Sequence, residues 1–274
     1  MPIPAETRAL IIEAVRSAAK TEIRPRFRSL NAADVAQKSA RDDLVTAADL
    51  AVEKALRTAF AGLMPDTPIV GEEGVAEDAA QLDLINKGGR VIVIDPIDGT
   101  WNFAQGMPTF GTMVSVIEDG ETVFGLLYEP MLDDWVWAAK GDGTWSGTER
   151  LQLPPPGSFE TLTALLGFYG MDLDQWAQVA ALYPRFLRVS DSHASIMDYR
   201  LLSRGQAAFK LNRQLNVWDH AAGVLCLREA GGHAALLDGT PYAPSMRKGR
   251  LLTAQSEALW HELAAILRPI FASA

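Results

Sequence analysis

The sequence is poor in several things, and each shortage removes a class of function. It has one cysteine, Cys226, so no internal disulfide can form. A reducing cytoplasm is the expected setting. It has four histidines, and no Cys/His set shows zinc-ligand spacing. No apolar run approaches the ~18 residues of a membrane helix. The start, Met1-Pro-Ile-Pro-Ala-Glu6, lacks the basic head and apolar core of a signal peptide. Positive charge is scarce: 25 Lys and Arg face 34 Asp and Glu, for a net charge of −9. That balance argues against a nucleic-acid polymer as partner, since such domains carry a basic patch. There is no P-loop, no G-x-G-x-x-G in a βαβ setting and no G-x-S-x-G elbow. What remains is ordinary globular material: 274 residues, 48% hydrophobic and 22% charged. That is enough for one large domain or two small ones.

The stretch Val91-Ile-Val-Ile-Asp-Pro-Ile-Asp-Gly-Thr-Trp-Asn-Phe103 anchors the reading. Val91 to Ile94 read as a buried strand. Asp95 ends it, Pro96 turns the chain, and Asp98 follows before Gly99-Thr100 opens a short helix. Carboxylates hold a hard cation such as Mg²⁺. Free N–H groups at a helix start hold an anion, commonly phosphate. Asp-Pro and Asp-Gly are also ordinary turn dipeptides, so a plain turn stays open at this point. EF-hand spacing is absent, because the sixth residue from Asp95 is Thr100 and the twelfth is Gly106. A phosphate substrate would be repelled by an acidic protein unless a divalent cation reversed the local sign.

Apolar spacing at Leu10, Ile11, Ala14, Val15, Ala18 and Ala19 predicts a helix from about 5 to 24, ended by Pro25. A polar loop through Asn31 to Asp43 follows, containing Lys38. Thr46-Ala-Ala-Asp49 is a capping box opening a second helix with Val52, Ala55, Leu56, Ala59 and Phe60 buried. Ile69-Val70 is a short strand, and an Ala/Asp/Glu-rich loop precedes the anchor. Two β-rich runs around Asp119-Gly120 predict a hairpin, continued by Trp135 to Ala139. Pro154-Pro-Pro-Gly157 is the clearest composition break. It divides the chain into an α+β part, 1–153, and an α/β part, 154–274. The second part alternates strands near 162–166, 187–189, 207–211, 233–237 and 251–254 with helices near 173–183, 195–204 and 219–230, and a last helix from Ser256.

Taken singly, the remaining acids have structural explanations. Glu72-Glu73 is a solvated pair, Asp49 completes a capping box, and Asp219 is an N-cap for the helix that ends at Gly231-Gly232. Their joint occurrence points elsewhere. Four blocks stand in order: Asp43-Leu-Val-Thr-Ala-Ala-Asp49; Gly71-Glu-Glu73; Ile94-Asp-Pro-Ile-Asp-Gly-Thr-Trp-Asn-Phe103; and Trp218-Asp-His-Ala-Ala-Gly223 with Glu229-Ala-Gly-Gly232. Together they resemble the inositol monophosphatase family of Mg²⁺-dependent, lithium-sensitive phosphatases, over most of the chain and most thinly between about 150 and 205.

The resemblance implies a layered α-β-α-β-α sugar-phosphatase fold, a homodimer and a small phosphorylated metabolite as substrate. It implies two or three Mg²⁺ ions. Glu72, Asp95 and the Ile97 carbonyl would hold one ion; Asp95, Asp98 and Asp219 would hold a second. Gly99 and Thr100 N–H groups would receive phosphate. Thr100 and Asp49 would activate the attacking water, with Lys38 and Glu73 in support. Two positions depart from the family pattern. Asn212 stands where the family has a Glu that holds inositol hydroxyls, seven residues before Asp219. Ser190-Asp-Ser-His-Ala194 replaces a stretch of Gly, Ser or Thr, and Ala, leaving His193 as a surface histidine or a substrate contact. Both departures weaken the expectation of myo-inositol phosphate. Related activities on histidinol phosphate, fructose 1,6-bisphosphate or adenosine 3′,5′-bisphosphate stay open. For a bisphosphate, Arg188, Arg200, Arg204, Lys210 and Arg213 are the basic candidates. The rival of a different class is a non-catalytic, metal-responsive scaffold.

Overall fold

The computed structural model describes residues 3–37, 44–168 and 170–272. Helix α1 (Ala5–Ala18) turns Ile11, Val15 and Ala18 inward. Periodicity carries this helix to 24, but the coil widens over Ala19–Ile23, where the Arg24 N–H bonds the Ala19 carbonyl at 3.0 Å. Such wide turns accommodate a chain that must stop ahead of a proline. Strands β1 (Val35–Gln37) and β2 (Leu44–Thr46) pair antiparallel inside the expected polar loop. They escape a periodicity reading because β1 has no buried face. Helix α2 (Ala47–Leu63) begins at the Thr46 capping box and buries Asp49, Val52, Glu53, Leu56 and Phe60.

Strand β3 (Ile69–Gly71) runs into a short helix α3 (Glu72–Glu77), not a loop. Then come β4 (Arg90–Asp98), helix α4 (Thr100–Ala104), β5 (Gly111–Glu118), β6 (Glu121–Glu129), β7 (Asp134–Ala139), β8 (Gly143–Ser146) and β9 (Glu149–Leu151). They form a seven-stranded sheet in chain order. All pairs are antiparallel except β3 with β4. Asp119 and Gly120, at φ of 50° and 82°, make the two-residue hairpin turn.

The second half contributes β10 (Thr163–Leu165), α5 (Leu173–Ala180), β11 (Arg188–Ser190), α6 (Ser195–Ser203), β12 (Phe209–Asn212), α7 (Val217–Glu229), β13 (His233–Leu236), β14 (Leu251–Ala254) and α8 (Glu257–Phe271). Its sheet has the order β11-β10-β12-β14-β13. β10 is parallel to β11 and β12, whereas β14 lies antiparallel between β12 and β13.

Packing stacks these parts into five layers. Ile11, Val15, Val52, Leu56 and Phe60 of α1 and α2 cover one face of the large sheet against Ile92, Ile94 and Val114. Ile196, Tyr199, Ala222 and Val224 of α6 and α7 cover its other face against Met113 and Leu127. Beyond them lies the small sheet, closed on its far side by Leu259, Trp260 and Leu263 of α8. A helix between two sheets cannot be amphipathic. Accordingly α7 buries an unbroken run from His220 to Leu227, Cys226 included. Each fully buried Leu or Val there is worth about 1.5–3 kcal/mol. No described helix is long and apolar enough to cross a membrane.

Candidate active site

The parallel pairing of β3 with β4 sets Gly71 opposite Ile94. The next residues, Glu72 and Asp95, therefore leave the sheet edge side by side. Between Asp95 and Asp98 the register of β4 slips against β5. A slip of this kind bends a strand and re-aims its side chains. Asp219 arrives from the first turn of α7. Asp95, Asp98 and Asp219 each offer a carboxylate oxygen, all within 4.8 Å of one another.

These acids are held in unfavourable surroundings. Asp95 is 1% exposed and Asp98 9%. Burial pushes the Asp95 carboxyl well above its usual range, and the charges of Glu72, Asp98, Asp219 and Asp49 push it further. Burial takes Asp98 up to about 7, against backbone N–H groups of Ile196 and Ser195 that pull it down. Asp219 is raised by burial, then by Asp98 and Glu72. The Oδ1 atom of Asp95 is buried with no hydrogen-bond partner among the described residues. Crowded carboxylate oxygens, one of them orphaned, fit a hard divalent cation, whose charge would oppose these upward shifts.

Asp98 and Asp219 are fixed by neighbours. The Ile196 N–H donates to Asp98 Oδ2 at 2.5 Å, so Asp98 also caps α6. Asn216 Nδ2 donates to Asp219 Oδ2 at 3.2 Å. The expected N-cap role of Asp219 is corrected here: α7 starts at Val217 and its N-cap is Asn216. Asp219 lies one turn in, where its carboxylate can face the other acids.

Thr100 opens α4 behind Gly99, whose φ is +85°. A Cβ there would sit 2.9 Å from Ala194 Cβ and 3.0 Å from the Thr109 carbonyl, so only glycine suits the turn. The Thr100 hydroxyl lies 2.9 Å from the Ile97 carbonyl and 3.2 Å from Asp49 Oδ1. Asp49 is fully buried. Its Oδ2 accepts the Thr46 N–H at 2.8 Å and the Thr46 hydroxyl at 2.5 Å. Asp49 is thus both the capping-box acid and a partner of Thr100. One carboxylate oxygen serves each task.

Glu73 is buried as well, which rules out a solvated pair. Its N–H and that of Gly74 donate to Glu53 at 2.9 and 3.1 Å. Glu53 in turn accepts from Arg57 Nε at 2.9 Å. A side chain on Gly71 would run into Glu53, at 2.2 Å from its Cδ. Glu53 thereby satisfies two of the free donors at the start of α3, beside Glu72. Sequence reading missed it. The available signal was a glutamate four residues after Asp49 on the buried stripe of α2. Asn102 was missed too: its Nδ2 ties α4 to the carbonyls of Thr109 and Ser192 at 2.8 and 2.9 Å. Lys38 lies outside the described residues.

The acids open on a cleft of ≈ 700 Å³ whose lining includes Asp98, Asp219, His193, Asn212, Arg213 and Arg250. His193 and Asn212 therefore face the same space as the acidic centre. The His193 side chain is 69% exposed, with its ring 3.8 Å from Asp191. The basic candidates separate. Arg200 is buried in ion pairs with Glu129 and Asp134 at 2.9 and 2.6 Å, and Arg204 pairs with Asp134 at 2.9 Å. Arg188 is exposed on β11. Lys210 and Arg213 line the cleft, joined by Arg250, which sequence reading did not single out.

The sequence profile of the Inositol monophosphatase family matches residues 4–270. A fructose-1,6-bisphosphatase/inositol-1-monophosphatase of Thermotoga maritima is 30% identical over 199 residues, 73% of each chain. A histidinol-phosphatase of Mycobacterium tuberculosis is 32% identical, over 71% of this chain and 75% of its own. Among solved structures, an IMPase/NADP phosphatase complexed with Mg²⁺ and phosphate superposes with a TM-score of 0.83 at 20% identity, covering 96% of this chain and 95% of its own. The layered fold, the ordered acidic blocks and the match along nearly the whole length lead to one conclusion: this chain belongs to the inositol monophosphatase family, a phosphoric monoester hydrolase of that superfamily.

Proposed function

We propose that the protein hydrolyses a small phosphorylated metabolite with water as nucleophile and Mg²⁺ as cofactor. The observation that carries this reading is the Asp95–Asp98–Asp219 cluster with its orphaned Asp95 oxygen. Glu72, Asp95 and the Ile97 carbonyl would hold one ion, and Asp95, Asp98 and Asp219 would hold a second. A third ion belongs to the same proposal. Bound there, such ions neutralise phosphoryl charge and activate water.

The chain's own groups do the rest. N–H groups of Gly99 and Thr100 orient the phosphate. Thr100 Oγ1 takes a proton from the attacking water as its own proton passes to Asp49 Oδ1, 3.2 Å away. Thr46 bonds Asp49 Oδ2, so the two oxygens of Asp49 divide between Thr46 and Thr100. Glu73 and Lys38 support this arrangement. No phospho-enzyme forms. In the proposed division, 1–153 carries the metal and phosphate groups apart from Asp219, and 154–274 carries the specificity loops with His193 and Asn212.

Asn212 disfavours myo-inositol 1-phosphate as preferred substrate, because a site built to bind hydroxyls discriminates when a partner is missing. Selective hydrolysis of inositol 1-phosphate over other sugar phosphates would contradict that part. A homodimer, a cytoplasmic setting and inhibition by lithium belong to the same proposal. Unchanged activity in millimolar Li⁺, and a monomer in sedimentation, would remove the corresponding parts. Metal-dependent phosphate release separates the enzyme from a metal-responsive scaffold.

A further inference from the structure

The lining of the cleft includes two guanidinium groups that the proposed chemistry does not use. Strands β12 and β14 pair antiparallel, with Asn212 opposite Leu251. The next residues outward, Arg213 and Arg250, therefore leave the two strand ends opposite each other, and both line the cleft that contains Asp98 and Asp219. Like charges set opposite across a strand pair repel. Burial and Arg213 both lower the pKa of Arg250, and only Asp172 opposes them. The contacts that hold the pair in place are not ion pairs. Arg213 donates to the Gly170 carbonyl, and the Arg250 guanidinium lies 4.0 Å from the Phe271 ring centroid. Among the described residues neither arginine has an ion-pair partner, whereas Lys210 in the same cleft is matched by Asp198 and by Asp191 at 3.7 Å.

We propose that Arg213 and Arg250, at the adjoining ends of β12 and β14, form a subsite for a second phosphate on the substrate. This rests on the phosphatase reading above and narrows its substrate class to phosphomonoesters bearing a second phosphate. Guanidinium groups present planar donor forks that suit phosphate oxygens. A bound phosphate would also relieve the repulsion between the two arginines. The cleft, at ≈ 700 Å³, has the volume of a site for a molecule the size of a sugar bisphosphate or a nucleoside bisphosphate. In a chain of net charge −9, a local pair of positive groups also steers an anionic substrate to the cleft mouth.

The experiment compares substrates that share a reacting end and differ in the second phosphate: fructose 1,6-bisphosphate with fructose 1-phosphate, and adenosine 3′,5′-bisphosphate with adenosine 3′-phosphate. Phosphate release with Mg²⁺ is measured for wild type, Arg213→Gln, Arg250→Gln and Arg213→Lys, with circular dichroism confirming each fold. In wild type, kcat/KM for the bisphosphate of at least one pair should exceed that of its monophosphate by about tenfold to a hundredfold, the range for a charge-assisted hydrogen bond. That ratio should fall toward one in both glutamine variants, and Arg213→Lys should recover part of it. Equal kcat/KM within both pairs in wild type, or a preference that survives both glutamine variants, would overturn the subsite and leave the phosphatase intact. No release from any of the four with Mg²⁺ present would overturn the subsite; release from inositol 1-phosphate or histidinol phosphate in the same assay would leave the phosphatase reading intact, and its absence there too would overturn both.

Discussion

The two walls of the cleft follow different rules. On one side, Asp95 and Asp98 are buried at the end of β4 and Asp219 is half-buried at the start of α7, where backbone and neighbouring side chains fix them. Their mutual repulsion is not screened by water. On the other, Arg213 is exposed and Arg250 half-buried, so solvent and salt screen their charge. A buried group is sensitive to the loss of one atom, and an exposed one responds by degrees. The acidic wall should therefore govern whether chemistry occurs at all, and the basic wall which molecule undergoes it.

The strongest way to break this contrast is Asp95→Asn. The variant should lose about a thousandfold or more in kcat, since cation-based charge stabilisation is worth several kcal/mol. Without metal it should be no less stable than wild type, because one buried charge has gone. Phosphate release and a thermal melt in EDTA check both. An active Asp95→Asn would contradict the assignment of the acidic wall. Thr100→Ala comes next: a proton relay is worth about a hundredfold to ten-thousandfold. Its loss should fall on kcat with KM nearly unchanged, and a change confined to KM would make Thr100 a binding group only.

Glu53→Gln tests the support beneath the wall. It keeps the shape and weakens the cap on α3, so the Mg²⁺ concentration for half-maximal activity should rise about tenfold to a hundredfold, with activity recovered at high Mg²⁺. An unchanged Mg²⁺ requirement would show that Glu72 needs no such support. The smallest effect is on stability. Free of cation, the folded chain keeps protons on Asp98 up to about pH 7, which the unfolded chain releases at ordinary carboxylate pKa. Between those values the folded state binds more protons, so this contribution to stability falls as pH rises. A bound divalent cation removes the penalty. The gap between melting temperatures in Mg²⁺ and in EDTA should widen from about pH 5 to about pH 8. A gap independent of pH would contradict the raised pKa.

Much of the acidic wall was legible because its residues sit in short local blocks. Asp95, Asp98, Gly99 and Thr100 lie within one strand-turn-helix, and their spacing carries the geometry. The hairpin at Asp119-Gly120 and the alternation after Pro154 gave the layers for the same reason. What escaped depends on distant pairing. Arg250 faces the cleft because β14 inserts between β12 and β13, an order no local pattern encodes. Glu53 points inward because Gly71 leaves it room. Asp219 was legible as a metal ligand from the joint blocks; only its alternative as an N-cap fails, because Asn216, an equally good cap, starts the helix a turn earlier. Lys38 lies outside the described residues, and its supporting role rests on the resemblance.

The most direct test of the central claim is phosphate release from inositol 1-phosphate, histidinol phosphate, fructose 1,6-bisphosphate and adenosine 3′,5′-bisphosphate, with Mg²⁺ and with EDTA. The account predicts release from at least one compound in Mg²⁺ and none in EDTA. Release that persists in EDTA, or none from any compound while the protein still binds Mg²⁺, would contradict it.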